Sequence, residues 1–392
     1  RKRGILDPVS VFLISYLYYS YFIPVSMVLF EQFDLNLLPE VSWISNDTID
    51  RSAILSFLCY VGYSIGYYFT TLNIDFSTYK SANTGVSMFF QDSFTRTILF
   101  AILLAVLIIV VFFNTEFLSA TADYQGKIAT NYSNSTYSFV LAVTLTLMSL
   151  LANYIILNAK SCTLPTVATV VLFLAIALAT FSKGPFIYAT LCGFCYLYRY
   201  QKLPSPIALS VMIVAGVLSL IYFVPSFAVY RATGEFALQT PDQISLNTIF
   251  SDAVGPFGII NFALNGFVQT EDHPLWQSFV LWIPRAIWAS RPLDIAETFA
   301  QQTMSNWQPG YGMGFSPLAE AYARYGFLGA PLFLALVGGT VGLLQTFFSS
   351  FLPARIQIPA ILTIGGYISL LMLRAPLSGV ITQNLQTWLP IL

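Results

Sequence analysis

The sequence predicts an all-α protein, a polytopic bundle of about ten or more transmembrane helices, and three observations carry that prediction. Charged residues make up only 9% of the chain and hydrophobic ones 56%, against about 25% charge in an ordinary soluble domain. So few charges do not cover the surface of a water-soluble globule of 392 residues. Apolar runs recur along the chain at about the 20-residue length a helix needs to cross the hydrocarbon core. Strict alternation of polar and apolar side chains is absent, so helices rather than barrel strands are expected to satisfy the backbone inside lipid.

Spans are expected near residues 9–30, 53–73, 97–118, 137–157, 163–181, 185–199, 205–225, 326–349, 354–373 and 376–392. Together they form a single integral membrane domain over 1–392. The chain opens on Arg1 instead of Met, so an earlier segment of a longer product is expected. Orientation follows from the basic residues of the short loops. Arg1, Lys2, Arg3, Lys80, Arg96, Lys160, Arg199, Lys202 and Arg355 fall on one side, which is therefore cytoplasmic; Arg51, Lys127, Lys183 and Arg374 fall on the other.

The remaining basic residues, Arg231, Arg285, Arg291 and Arg324, lie in one long outer-face segment, about 227–325, rich in Trp, Pro and Gly. Within it "SRPLDIAETFAQQTM" reads as a short interfacial helix, with Ser290 as its cap and Pro292 in its first turn. "QPGYGMGFSP" then turns the chain, and Ser316 with Pro317 starts the helix that re-enters the bilayer.

Several functions are struck out. A net charge of -1 without a basic stripe argues against a nucleic-acid partner. Cys59, Cys162, Cys192 and Cys195 lie in or beside apolar runs and give no disulfide framework. There is no P-loop, no GxGxxG after a strand, no HExxH and no GxSxG. The single histidine, His273, rules out a multi-histidine metal site, and no Asp-x-Asp signals a metal clamp for a nucleotide-sugar. No cofactor is expected.

What remains is a set of cations at the outer face. Arginine offers a rigid fork of donors that matches phosphate oxygens and stays charged in any environment. Arg374 sits alone between two apolar spans, and Lys183 occupies the tight "SKGP" turn on the same side. With the loop arginines they form a candidate cradle for a lipid-linked diphosphate. Plainer readings stand beside this one. Arg374 suits a snorkelling side chain at a span end, and Lys183 an ordinary turn charge. Glu320 and Arg324 are spaced for an i,i+4 ion pair. His273, in "TEDHP", suits a solvated loop.

"WIPRAIWASRPLDI", followed by "GMGFSPLAEAYARYGFLGAPLF", resembles the Wzy-type polymerases of bacterial O-antigen, common-antigen and capsule repeat units. "ATFSKGPFIYATL", "FAVYRATGEF" and "LMLRAPLSGV" are similar to further pieces of that family, in the same order along the chain. The likeness covers about 179–388. It implies a helical membrane fold related to other lipid-linked sugar transferases, GT-C-like, with a large periplasmic loop before the last spans. It also implies an inner-membrane, metal-independent glycosyltransferase whose site faces the periplasm. A growing glycan on undecaprenyl diphosphate would be moved onto a new lipid-linked repeat unit, releasing undecaprenyl diphosphate. The partners implied are those lipid-linked oligosaccharides, the bilayer and a co-polymerase that regulates chain length.

By motif the resemblance carries over Arg231, Arg291 and Arg374, with Lys183 and Arg285 beside them and Tyr230 next to Arg231. Preorganised cations in a water-poor cleft would stabilise charge on the departing diphosphate. The acceptor hydroxyl needs a base within hydrogen-bond reach, for which Glu320, His273 and Asp294 are the candidates, in that order. Trp276, Trp282, Trp288, Trp307 and Tyr311 suit stacking on sugar faces or anchoring at the membrane interface equally.

Two alternatives differ in what they need. An O-antigen ligase, delivering glycan to lipid A, is expected to rely on an outer-loop histidine, and His273 is the only one the chain has. A lipid-linked sugar flippase is expected to show internal repeats and polar residues at the bundle centre. The chain shows no repeat, and its charges gather at one face.

Overall fold

The computed structural model describes residues 12, 13, 16–21, 24, 25, 45–72, 143–153, 226, 229, 246–283, 287–303, 315–352, 360–372 and 374–388. Among these the secondary structure is helical and contains no strand. The expected spans 97–118, 163–181, 185–199 and 205–225 lie outside the described residues.

Helix α1, Asn46–Thr71, begins seven residues before the apolar run that marked it, because Ser45 caps it. The Ser45 hydroxyl accepts the Thr48 N–H at 3.3 Å, and Asp47 places negative charge in the first turn. That polar turn therefore extends the helix beyond its apolar body. A shorter apolar helix, α2, covers Val143–Asn153.

Helix α3, Leu246–Leu264, falls within the segment read from sequence as the outer loop. It is no bare loop. Its side chains at Phe257, Ile259 and Ile260 are buried, and it packs on a π-helical turn at Leu17–Tyr21, on α1 and on the long helix described below. Gly266, at φ +75°, ends it in a Schellman turn. The Gly266 N–H donates to Ala263 O and the Phe267 N–H to Phe262 O, each at 3.0 Å. The rings of Phe262 and Phe267 then meet edge to face at 5.9 Å, the apolar contact that accompanies this motif.

Two short helices follow, α4 (Leu275–Ser278) and α5 (Ile295–Thr303). Sequence reading placed the α5 cap at Ser290; the structure moves it to Asp294. Asp294 Oδ1 accepts the Glu297 N–H at 2.7 Å, and Glu297 Oε2 accepts the Asp294 N–H at 3.4 Å, a reciprocal capping box. The apolar periodicity starts only at Ile295, so the acid adjoining it wins over the more distant serine. Ser290 instead accepts the Trp288 indole N–H at 3.2 Å.

Helix α6, Pro317–Ser350, starts where expected, with Pro317 in its first position and the Ser316 hydroxyl accepting the Leu318 N–H at 3.1 Å. It has two legs. Gly326, at φ 70° and ψ −171°, adopts a conformation open essentially to glycine alone and separates 317–325 from 327–350. A π-helical turn, Ile361–Gly365, leads into α7, Gly366–Leu371, and α8, Leu377–Trp388, ends the described chain.

Among the described residues two helices, Asp47–Thr71 and Pro317–Phe348, are long and apolar enough to cross a membrane. On the second, Leu328, Leu332 and Leu336 are 79%, 71% and 71% exposed, a leucine row at the i,i+4 spacing. Such a row suits a helix face against lipid better than the buried core of a soluble protein.

The opposite faces of α1 and α6 meet through glycine. A Cβ added at Gly62 would strike Pro331 O, one at Gly66 would strike Ala335 O, and one at Gly338 would strike Tyr63 O. Gly62 with Gly66 and Gly338 with Gly342 are two small-xxx-small pairs, and backbones approach this closely only where the side chain is absent. A hydrogen bond pins the crossing: Tyr67 Oη donates to Gln345 Oε1 at 2.8 Å. Another, from Asn153 Nδ2 of α2 to the Thr363 hydroxyl at 2.7 Å, ties α2 to the π-helical turn Ile361–Gly365. An aromatic cluster joins the N-terminal residues to α1, with Phe12 4.4 Å from Tyr63 and Tyr16 stacked on Tyr60 at 4.9 Å.

Candidate functional site

The polar residues of interest collect where three pieces of chain meet: the first leg of α6, the loop before α4, and the turn into α8. Glu320 lies in the first turn of α6, fully buried beneath the Ser316 cap. Both of its carboxylate oxygens are engaged. Oε1 accepts the Arg324 guanidinium, from Nη2 at 2.8 Å and from Nε at 3.1 Å. This is the i,i+4 ion pair that the spacing predicts. Oε2 accepts the backbone N–H of Leu377, the first residue of α8, at 3.1 Å. A carboxylate borrowed from α6 thus satisfies an otherwise orphaned amide and meets the positive end of the α8 dipole.

His273 lies within electrostatic reach of the same pair. Its backbone N–H is held by Thr270 O at 3.1 Å, while the buried Nε2 makes no hydrogen bond of normal geometry. Burial, and next the Arg324 guanidinium, push the imidazole below its ordinary value of 6.5, against the opposing pull of Asp272, Glu320 and the Gln277 side chain. At neutral pH the ring is neutral, so one of its nitrogens is an acceptor. Gln277, one α-helical turn further on, turns its side-chain amide, with a buried Oε1, towards the imidazole. Sequence reading missed Gln277; its i,i+4 spacing from the lone histidine was the available signal.

Arg374 precedes α8 by three residues and donates to Tyr19 Oη at 3.5 Å, joining the turn before α8 to the π-helical turn Leu17–Tyr21. Nothing in the sequence marked Tyr19. Arg291 is occupied by backbone. Its Nη1 donates to Leu281 O and, at 3.1 Å, to Ile283 O, so the guanidinium folds the chain after α4 back on itself. Asp294 caps α5, and Trp288, half-buried, is tied to Ser290. Lys183, Tyr230, Arg231, Arg285 and Tyr311 lie outside the described residues. The structure therefore gathers His273, Gln277, Glu320 and Arg324 around the start of α8 and gives Arg291 and Arg374 separate protein partners.

No protein-family model, curated protein or solved structure matches this chain. The chemistry accordingly rests on the residues themselves. No group of three or more His, Cys, Asp or Glu side chains among the described residues is arranged to hold a metal ion. What the cluster offers is a neutral imidazole set against the Gln277 amide, beside a buried carboxylate–guanidinium pair. Such a set orients and accepts from a hydroxyl.

Proposed function

We propose that the chain is a multi-pass enzyme of the bacterial inner membrane, a Wzy-type glycan polymerase with its site on the periplasmic side. In this reading a GT-C-like bundle of about ten or more spans surrounds the cluster. The enzyme moves a growing glycan from undecaprenyl diphosphate to a hydroxyl of a new lipid-linked repeat unit, and a chain-length regulator acts with it. The observation that carries the reading is His273 within electrostatic reach of the buried Glu320–Arg324 pair, at the end of α6 where the candidate span begins.

Of the three candidate bases, His273 fits best. Glu320 has both oxygens committed to Arg324 and Leu377, and Asp294 serves α5 as its cap. His273 is held neutral at neutral pH by burial and the Arg324 guanidinium, which leaves it a ring nitrogen able to accept a hydroxyl proton. Charge on the departing diphosphate falls to the cations carried over by motif, Arg231, Arg285, Arg374 and Lys183. Arg291 supports the site by holding the 281–283 backbone.

Membranes containing the protein, supplied with a lipid-diphosphate repeat unit, should yield a ladder of lengthening glycans. Arg374→Ala should shorten or erase the ladder at unchanged protein level, and so should His273→Ala. Full-length ladders from both variants would sink the reading. The placement of His273 also favours a second one, the O-antigen ligase. There lipid A, rather than a repeat unit, is the productive acceptor, and each membrane preparation should be given both.

A further inference from the structure

Residues 274–283 wind as a short α-helical turn followed by overlapping turns. The N–H groups of Gln277, Phe279, Val280 and Ile283 donate three residues back, to Pro274, Trp276, Gln277 and Val280, and the Leu281 N–H donates four back, to Gln277. Side chains three apart along such a winding fall near one another on its surface. Leu275, Ser278 and Leu281 share one side, where Ser278 and Leu281 are buried, and α4 packs against α8. Trp276, Phe279 and Trp282 share the other, 57%, 52% and 38% exposed.

We infer that this stripe is a foot that inserts into the outer leaflet of the bilayer, at the boundary between headgroups and acyl chains. Two features commit it to lipid. From Pro274 to Pro284 the chain carries no charged side chain, while Glu271 and Asp272 stand exposed just before it, so an apolar stretch is rimmed by charge. The foot also continues a lipid-facing surface. It stands on α8, whose first amide is held by Glu320, six residues before the Gly326 break at which the exposed leucine row of α6 begins. The foot and the start of that row therefore meet the bilayer at the same end of the molecule. Tryptophans at the two ends of the stripe match the side chain favoured at membrane interfaces. The consequence is a depth: His273 and Gln277, at the root of the foot, are held at headgroup level, where a lipid-linked diphosphate presents its sugars.

The insertion is independent of the reaction and is tested without it. The full chain is reconstituted in phosphatidylcholine vesicles containing lipids brominated either near the carbonyl end or near the methyl end of the acyl chain. Its tryptophan fluorescence is compared with that of Trp276→Phe/Trp282→Phe, which keeps the foot apolar but silences it. The wild type should show a quenching component from the shallow bromines, several-fold weaker with the deep ones, and the double variant should lose it. Equal quenching of the two proteins by shallow bromines would overturn the proposal. So would strong iodide quenching of the component that the variant removes. Protection of that component from iodide by soluble repeat-unit oligosaccharide, without bromolipid quenching, would overturn it in favour of sugar stacking. The glycan ladder, scored separately, reports on the enzymatic reading alone.

Discussion

Glu320 and Leu377 are 57 positions apart, yet a carboxylate oxygen of the first accepts the backbone N–H of the second at 3.1 Å. Because the other oxygen holds Arg324, one buried side chain fixes the re-entering helix, its own ion-pair partner and the start of the last helix. The turn that carries Arg374 is thereby set in place as well.

Removing this carboxylate should be costly. Glu320→Ala leaves Arg324 buried without its charge partner and Leu377 without an acceptor, and such losses run to about 3–5 kcal/mol. Thermal unfolding in detergent should show a large drop in midpoint for Glu320→Ala. Glu320→Gln keeps an acceptor for Leu377 and should fall in between. Identical midpoints for all three proteins would mean that the latch contributes nothing.

The glycine crossing gives a steric prediction. At Gly66 and Gly338 a methyl group meets backbone carbonyl oxygen, which has no rotamer with which to move aside. Gly66→Ala and Gly338→Ala should each destabilise the α1–α6 pair by about 1–3 kcal/mol or more. Gly339→Ala is the control, since its Cβ would meet only ordinary contacts at 3.7 Å and beyond. Cysteine cross-linking between α1 and α6 should weaken in the first two and persist in the third.

Gly326 separates strain from crowding. An added Cβ there meets nothing within 4 Å, but φ of 70° with ψ near 180° is strained for any L side chain. Gly326→Ala should cost about 1–3 kcal/mol. It should also favour a straightened α6, which pulls Glu320 from Leu377 and exposes that amide. Faster hydrogen exchange at the start of α8 would show this, and unchanged exchange would count against the two-legged helix as the source of the site's geometry.

His273 gives a pH dependence of definite sign. Its folded-state value lies below 6.5, so between the two values the unfolded chain binds the proton and the native chain does not. The contribution to stability is complete above 6.5 and is lost as pH falls through the folded value. Unfolding midpoints measured from pH 7.5 downward should decline more steeply in the wild type than in His273→Gln. Parallel curves would remove the imidazole from the account.

Parts of this were legible in the residues. "FSPLAEAYAR" announced its own helix start, with serine and proline at the positions that spare an orphan amide, and its own ion pair four residues apart. The expected span 326–349 begins at the glycine that breaks α6, because loss of charge and gain of backbone freedom fall at the same point of the chain. The α5 cap was misread because the choice between Ser290 and Asp294 depends on where the helix winds, which a list of cap residues does not specify. The outer segment hid α3, whose apolar side is buried by helices far away in sequence.

The sequence by itself determined that the described residues fold as helices, that two of those helices are apolar enough to cross a bilayer, and where α6 starts. Those properties are local, set by hydropathy over one run or by a cap. Tertiary structure alone decided that Glu320 holds Leu377, that His273 lies within electrostatic reach of Arg324, and that Arg291 spends its donors on carbonyls. Each of these joins groups whose separation along the chain carries no information about their distance in space. Only the packing of α4 and α6 against α8 brings these groups close enough to decide it.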